Sequence, residues 1–563
     1  MAGIKNLKFN KNTPEELRKT DSGDNWPVVY VINNDTEAYV GETVNAARRT
    51  EQHLKNEARQ TLENIHIISN DDFNKSVVLD LESFLIKYMS SDGRFVLQNG
   101  NGGIQEHDYY QRKLYEDKFK DIWTELKELG LTEHSLAAIE NSDLYKYSPY
   151  KSLTDDQLDI VRDILKVLED NKRDPEGSTI VVKGGAGTGK TVLGVYLMKL
   201  FSDANEKQAS IPVYSDLDPE DEEDMEEFGF LKYAVENFTE MKVGLVIPQV
   251  SLRTTLINVF GNIRNMSGKM VLSANDIPKD YYDLLIVDEA HRLRQRKALA
   301  QYPLFDKNNK KLGLDKDTAT ELDWVLKCSR NQVLFYDPQQ TVKPSDIDPE
   351  DFKRIIDRSR HYEFGLKSQL RCMGGNDYID YVKAVLSDDP PTAKPSFDGY
   401  DLRFYDHIKE MIDDIKKIDE EIGLCRAAAG YAWKWKTKKN HDPGMYDIEI
   451  ENEKYIWNTT ADDWINSPNS INEIGCIHTV QGYDLNYAGI IFGNEIDYDP
   501  ADGKITIDKS NYFDQTGKTA LKNEEELKEY ILNIYATLMT MGIKGTFVYV
   551  CNDELRKYLM KYF

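Results

Sequence analysis

The chain has 563 residues, 40% of them hydrophobic and 11% aromatic, enough for several cores and, by length, roughly three or four domains. A formal net charge of −26 argues against a protein that coats nucleic acid through bulk charge, although a local groove needs only a handful of well-placed cations to grip phosphates. No apolar run long enough for a membrane-spanning helix is present, the opening MAGIKNLKFNKN is too polar for a secretory signal, and the scattered Cys328, Cys372, Cys425, Cys476 and Cys551, without a CxxC pair, read as reduced, partly buried thiols of a cytoplasmic protein.

Residues 1–25 read as a polar, loosely structured segment, and residues 26–103 as a small α/β unit. That unit opens on two short strands, Val28–Ile32 and Ala38–Val40, around an Asn-Asn-Asp-Thr turn, with Tyr30 and Tyr39 inside them. Gly41 follows, then a helical stretch in which His53 lies four residues beyond Arg49, on the same face. VVLDLESFLIKYM (Val77–Met89) predicts an amphipathic helix with Glu82 at its centre, and the unit ends at the glycine-rich QNGNGG (Gln98–Gly103). Residues 104–150 predict a helical connector, with Leu114, Phe119, Ile122, Leu126 and Leu129 at helical spacing. Beyond 150, short apolar strands alternate with helices: TIVVKG, VGLVIP, LLIVDE and QVLFYD, then EIGCIHTV, AGIIFG and TFVYVC. Strands apolar on both faces belong to buried parallel sheets. The two sets place a first lobe at 151–345, with an acidic insertion at 216–228 that reads as a solvated loop, and a second lobe at 346–563.

TIVVKGGAGTGKTVLGVYLMKL (Thr179–Leu200) is strand, glycine-rich loop and helix. Its loop, Gly184, Gly185, Ala186, Gly187, Thr188, Gly189, Lys190 and Thr191, matches G-x-x-x-x-G-K-T in the context that motif requires. Glycines let backbone N–H groups wrap phosphates at a helix N-terminus, Lys190 is placed to reach the β- and γ-phosphates, and Thr191 to bind Mg²⁺. DLLIVDEAHRL (Asp283–Leu293) brings Asp288 and Glu289 to the carboxyl end of a strand, where α/β sites lie. Asp288 is the candidate Mg²⁺ holder and Glu289 the candidate for polarising the attacking water.

This set resembles superfamily 1 helicase motors, and among them the Schlafen-like DNA/RNA helicases of bacteria. The resemblance implies two RecA-like parallel-sheet lobes over about residues 150–555, ATP in their cleft and single-stranded nucleic acid across both. SLTDDQLDIV (Ser152–Val161) resembles the adenine-reading element, with Gln157 as reader. VLFYDPQQTV (Val333–Val342) resembles the sensor motif, with Asp337 and Gln340; LKSQLRC (Leu366–Cys372) supplies Arg371 toward the γ-phosphate; and IGCIHTVQGYDLNYAGIIFG (Ile474–Gly493) carries His478, Thr479, Gln481 and Gly482. RAAAGYAWKW (Arg426–Trp435) is also typical of the branch, and Trp433 and Trp435 are aromatics available for stacking on bases. In the last motif, NIYATLMTMGIKGTFVYV (Asn533–Val550), the chain departs from its relatives: Met541 and Ala536 stand where arginines are usual. Methionine offers neither charge nor a fork of donors, so either Arg371, alone or with Lys544, suffices, or hydrolysis is slow, or the chain is an engineered or degenerate form poor in hydrolysis.

The opening segment resembles the GIY-YIG nuclease family over about residues 26–103. Val28-Val29-Tyr30, without the usual glycine, and Tyr39-Val40-Gly41 stand for the two tripeptides. The resemblance implies a phosphate-clamping Arg49 with Arg48 its neighbour, a proton-transfer role for His53, a single metal-binding Glu82 for Mg²⁺ or Mn²⁺, and Asn99, or Asn101, near the end. Tyr30 is the candidate base or water-orienting group, with Tyr39 beside it.

Together these features point to an ATP-dependent nuclease–helicase acting on nucleic acid, with DNA expected ahead of RNA, and the domain pairing suggests bacterial defence against phage or plasmids. The alternative is an ATP-gated sensor that translocates poorly and licenses the nuclease.

Overall fold

A computed structural model describes residues 3–99, 109, 112–150, 153–185, 187–206, 222–299, 301–337, 345–369, 372–438, 444–460, 464–480, 483–514, 518 and 523–563, without the side chains of 222–228, 251 and 478. Among them are three main sheets.

The first has the order β1-β4-β2-β3-β5, built from β1 (Gly3–Lys8), β2 (Val28–Asn33), β3 (Glu37–Thr43), β4 (Asn64–Ser69) and β5 (Val96–Leu97). All its pairs are antiparallel except β3–β5. Alternation divides its residues between two cores. Val29, Val31, Ala38 and Val40 pack with Val77, Val78, Leu81 and Leu85 of helix α3 (Lys75–Asp92). Tyr30, Ile32 and Tyr39 pack with Ala46 and Ala47 of α2 (Ala46–Lys55), whose N-cap Asn45 accepts the Arg48 N–H.

The segment expected to be loosely structured therefore contains an edge strand. Its pattern, GIKNLK, conceals this because Ile4 and Leu7 serve opposite faces, so no alternation is visible. Helix α4 (Arg112–Glu128) forms as expected but presents a different face: Tyr115, Phe119, Ile122, Trp123 and Leu126 are buried, while Leu114 and Leu129 are exposed. Positions 115, 119, 122, 123 and 126 make a cleaner helical stripe than one beginning at 114. This stripe packs into the same core as α3.

The second sheet is wholly parallel, ordered β11-β6-β10-β9-β7-β8: β6 (Thr179–Lys183), β7 (Val243–Val246), β8 (Val271–Leu272), β9 (Tyr282–Val287), β10 (Ser329–Tyr336) and β11 (His361–Gly365). It continues past the boundary expected at 345, because β11 pairs with β6 along the edge. HYEFG alternates exposed and half-buried residues there, so it lacks the doubly apolar signature of an inner strand. The acidic run is helical from Glu222, within Glu222–Asn237; its earlier part lies outside the described residues. The third sheet, ordered β12-β20-β17-β13-β16, is also parallel: β12 (Asp401–Tyr405), β13 (Cys425–Ala429), β16 (Ile474–Cys476), β17 (Leu485–Phe492) and β20 (Gly542–Val550). Between them come the small hairpins β14–β15 (Ile448–Ile450, Glu453–Tyr455) and β18–β19 (Ile496–Asp499, Lys504–Ile507). The α/β class and the two parallel-sheet lobes are as expected. All five cysteines are free thiols, four of them buried, and no described helix is long and apolar enough to cross a membrane.

Two short helices, α5 (Leu136–Glu140) and α6 (Asp143–Lys146), touch all three bodies. Ile139 lies in the α3 core, and Tyr88 of α3 donates to Glu140 at 2.7 Å. Asn141 donates to the Ile422 carbonyl at 2.7 Å and accepts from Asn486 at 2.9 Å, while Lys146 donates to the Asp484 carbonyl at 3.2 Å. On the other side, Thr255 donates to Asp143 at 3.4 Å.

Candidate functional site: a phosphate loop and a tyrosine–histidine–arginine hairpin

The phosphate loop runs from β6 into the helix Lys190–Asn205. Gly187 and Gly189 hold φ of 76° and 77°, a left-handed backbone that only glycine adopts without strain. Lys190 is buried, and its ammonium donates to the carbonyls of Gly184 at 2.8 Å and Gly185 at 2.7 Å. Thr188 donates to Gly185 at 3.0 Å. The Thr191 hydroxyl donates to Asp288 Oδ2 at 2.7 Å, so the two expected Mg²⁺ holders meet although 97 residues apart. Both offer oxygen, which suits a hard divalent ion.

Asp288 follows β9 and is fully buried; burial, and then the charge of Glu289, push its carboxyl above the usual range. Glu289 has a φ of 51°, unusual for a residue with a side chain, and this bend brings two consecutive acids to one site. Burial opposes its ionisation, but His291, Lys190 and Arg292 hold it well below the carboxylate range. His291 Nε2 stands 2.8 Å from Glu289, and its Nδ1 accepts the Asp337 N–H at 3.3 Å, which joins the acid pair to the expected sensor.

Gln157 is fully buried. Its amide accepts the Thr154 N–H at 3.1 Å and donates to the Thr188 carbonyl at 3.1 Å, so it caps its own helix and braces the phosphate loop. Its neighbour Asp156, which the sequence did not single out, accepts the N–H groups of Lys367 at 2.9 Å and Ser368 at 3.0 Å. Burial works against that carboxylate, yet the bonds from Thr154, Lys367 and Ser368 bring it down to about 2. Asp156 thus ties the Gln157 element to the segment leading to Arg371. Ala186, Gln340, Arg371, Gln481 and Gly482 lie outside the described residues, as does the His478 side chain. Met541 is buried in the second lobe's core. Trp433 and Trp435 are half-buried around Trp457, at 6.2 and 6.4 Å between ring centroids.

Where α2 packs on the first sheet, Tyr30 and Tyr39 of the strands meet Arg49 and His53 of the helix. Tyr30 Oη lies 2.7 Å from His53 Nε2 and accepts from Arg49 Nε at 3.2 Å. The Tyr30–Tyr39 and Tyr39–His53 centroids are 6.2 and 5.0 Å apart. His53 is buried, and desolvation, then the charges of Arg49 and Arg59, hold its pKa well below the ordinary value. Asn99 is engaged at the same hairpin: its amide accepts the Val40 N–H at 3.0 Å and donates to the Val40 carbonyl at 2.8 Å, taking the place of a strand neighbour. Glu82 is half-buried on α3, which packs against β2 and β3. Among the described residues no cluster of three or more His, Cys, Asp or Glu could hold a metal ion. Arg59 and His66 went unnoticed in the sequence. Each is buried, and each finds its partners elsewhere in the chain, Arg59 on Tyr39 and Gln98 and His66 on Asn33.

Residues 177–552 match the family described as Schlafen group 3, DNA/RNA helicase domain. The uncharacterized protein YPL245W of Saccharomyces cerevisiae is 27% identical over 418 residues, which span 68% of this chain and 83% of the yeast protein. Among solved structures, a Pif1 helicase on forked double-stranded DNA shares 13% identity, with 62% of this chain and 88% of that one covered at a TM-score of 0.23. The arterivirus nonstructural protein 10 helicase with DNA shares 11%, covering 70% and 66% at 0.27. With its family match running through both parallel sheets, the chain belongs to the Schlafen group 3 DNA/RNA helicase domain family.

Proposed function

We propose that this protein joins an ATP-hydrolysing nucleic-acid motor, in residues 151–563, to a metal-dependent nuclease of the GIY-YIG kind, in residues 26–103 together with the strand Gly3–Lys8. The motor half rests on the meeting of Thr191 with Asp288, 2.7 Å apart beside a buried Lys190. In this reading Lys190 leaves the loop carbonyls for the β- and γ-phosphates, Thr191 and Asp288 hold Mg²⁺, and ionised Glu289 orients the attacking water. Bound there, Mg²⁺ supplies charge neutralisation on the triphosphate. Gln157 transmits adenine contact to the loop through Thr188, and the family resemblance assigns Arg371, Gln340, Gln481 and Gly482, outside the described residues, to the same nucleotide.

The nuclease half rests on one contact set, Tyr30 with both His53 and Arg49. Arg49 can only donate, so it bridges the Tyr30 oxygen and a scissile phosphate. A neutral His53 accepts a proton through Tyr30, and Tyr39 flanks the pair. Glu82, a single carboxylate, suits a hard ion that keeps most of its water, Mg²⁺ or Mn²⁺. DNA is the substrate to test first, and defence against foreign DNA the setting.

The test pairs two assays on the full chain with single- and double-stranded DNA and RNA. Phosphate release should be stimulated by single strands and fall about 100-fold or more in Lys190→Ala. Metal-dependent cutting should vanish in Glu82→Ala while that variant keeps the parent's thermal midpoint; cutting at the parental rate removes Glu82 from the metal site. The burial of Met541 where relatives place an arginine favours a second reading, an ATP-gated switch. A switch binds ATP and changes shape with negligible turnover in the parent, which phosphate release separates from a motor.

A further inference from the structure

Arg59 is 1% exposed, an unusual state for a guanidinium. It lies in the short turn Glu57–Arg59, between α2 and β4. Its Cζ is 3.8 Å from the centroid of the Tyr39 ring, and Nη1 donates to Gln98 Oε1 at 2.9 Å. Gln98, just after β5, donates onward to Glu37 Oε2 at 3.3 Å. The guanidinium is thus clamped between a tyrosine face and an amide.

We infer that Arg59 is a positioning residue of the hairpin site: stacked on Tyr39, which also neighbours His53, it fixes that ring and sets a permanent cation beside it, close to the imidazole whose Nε2 takes the Tyr30 proton. The inference rests on the nuclease reading of the same hairpin. Among the charged and titratable groups set against His53 are Tyr30 on β2, Tyr39 on β3, Arg49 on its own helix and Arg59 on the turn beyond. Two of these four are permanent cations. A protonated imidazole donates through both nitrogens and accepts through neither, so a charged His53 would leave the Tyr30 hydroxyl with donors on both sides. Burial and two cations prevent this. A planar guanidinium is suited to the role, because it stacks on an aromatic face while its edge still donates to Gln98.

The test uses the full chain labelled with ¹³C at histidine, His53 being assigned by the signal lost in His53→Gln. Its titration is compared in the parent, Arg59→Gln and Arg59→Lys, alongside the pH profile and the kcat and KM of cleavage. Arg59→Gln should move the His53 midpoint to higher pH and carry the acidic limb of kcat with it. Arg59→Lys, which keeps the charge but loses the planar stack, should leave the midpoint in place and lower kcat about tenfold or more with KM little changed. An unmoved midpoint in Arg59→Gln overturns the inference. So does an Arg59→Lys variant that cuts like the parent or titrates differently, and this holds even if the Gln variant does not fold. A parent that cuts no nucleic acid removes the nuclease reading alone, and the His53 midpoints still decide what Arg59 does.

Discussion

Gly41 faces Tyr30 across the β2–β3 ladder, and a methyl group on its Cα would stand 2.3 Å from the Tyr30 hydroxyl. The glycine is there for the tyrosine: the phenol lies over the bare backbone of β3 and so reaches His53 and Arg49. Gly41→Ala must therefore expel the ring or bend the strand, at a cost of about 1–3 kcal/mol. A lower urea midpoint, with the unchanged slope that marks intact cooperativity, checks this. Cutting should fall with it, since the Tyr30–His53 contact cannot survive.

Lys190→Ala removes the only side chain that donates to both the Gly184 and Gly185 carbonyls among the described contacts. Nucleotide affinity and phosphate release should each fall about 100-fold or more, read by fluorescent-nucleotide titration and a phosphate assay. Thermal stability without nucleotide should change far less, because the lysine fills no apolar core.

His53 and His66 make the first domain acid-sensitive. Burial lowers His66 from an ordinary value near 6.5 to about 4, and lowers His53 as well. Both folded-state values lie below the unfolded one, so the unfolded chain binds the extra protons. The stabilisation is complete above about pH 6.5 and is lost as pH falls toward the folded values, at about 1.4 kcal/mol per pH unit for each histidine. Urea midpoints measured from pH 7.5 to 5 should decline, and His66→Gln should flatten the slope.

Met541→Arg places a guanidinium in the core of the second lobe, where Met541 is 2% exposed. The expected loss is about 2–4 kcal/mol, seen as a lower thermal midpoint. If the switch reading holds, turnover at low temperature rises despite it; in a motor whose cleft works without this arginine, it does not.

What the sequence reveals here depends on how local the signal is. The phosphate loop lies within one strand–loop–helix, and its glycines, lysine and threonine can be read in order. The acid pair is announced by the apolar strand before it. Arg59 could not be read this way: its partners Tyr39 and Gln98 come from β3 and from the residue after β5, and an arginine in EAR looks like any surface arginine. β11 was missed because an edge strand with one face in water has the composition of a loop. Leu114 misled because a leucine outweighs a tyrosine on any hydropathy scale, whereas the helix buries Tyr115.

The helices α5 and α6 leave the assembly little slack. They rest on α3 through Ile139 and Glu140, on the second lobe through Asn141 and Lys146, and on the first lobe through Asp143. A bracket with three feet resists a shift of one neighbour while the other two stay where they are. Any widening or narrowing between the lobes therefore strains one of these contacts or moves α3, and with α3 the strands β2 and β3 that it packs against.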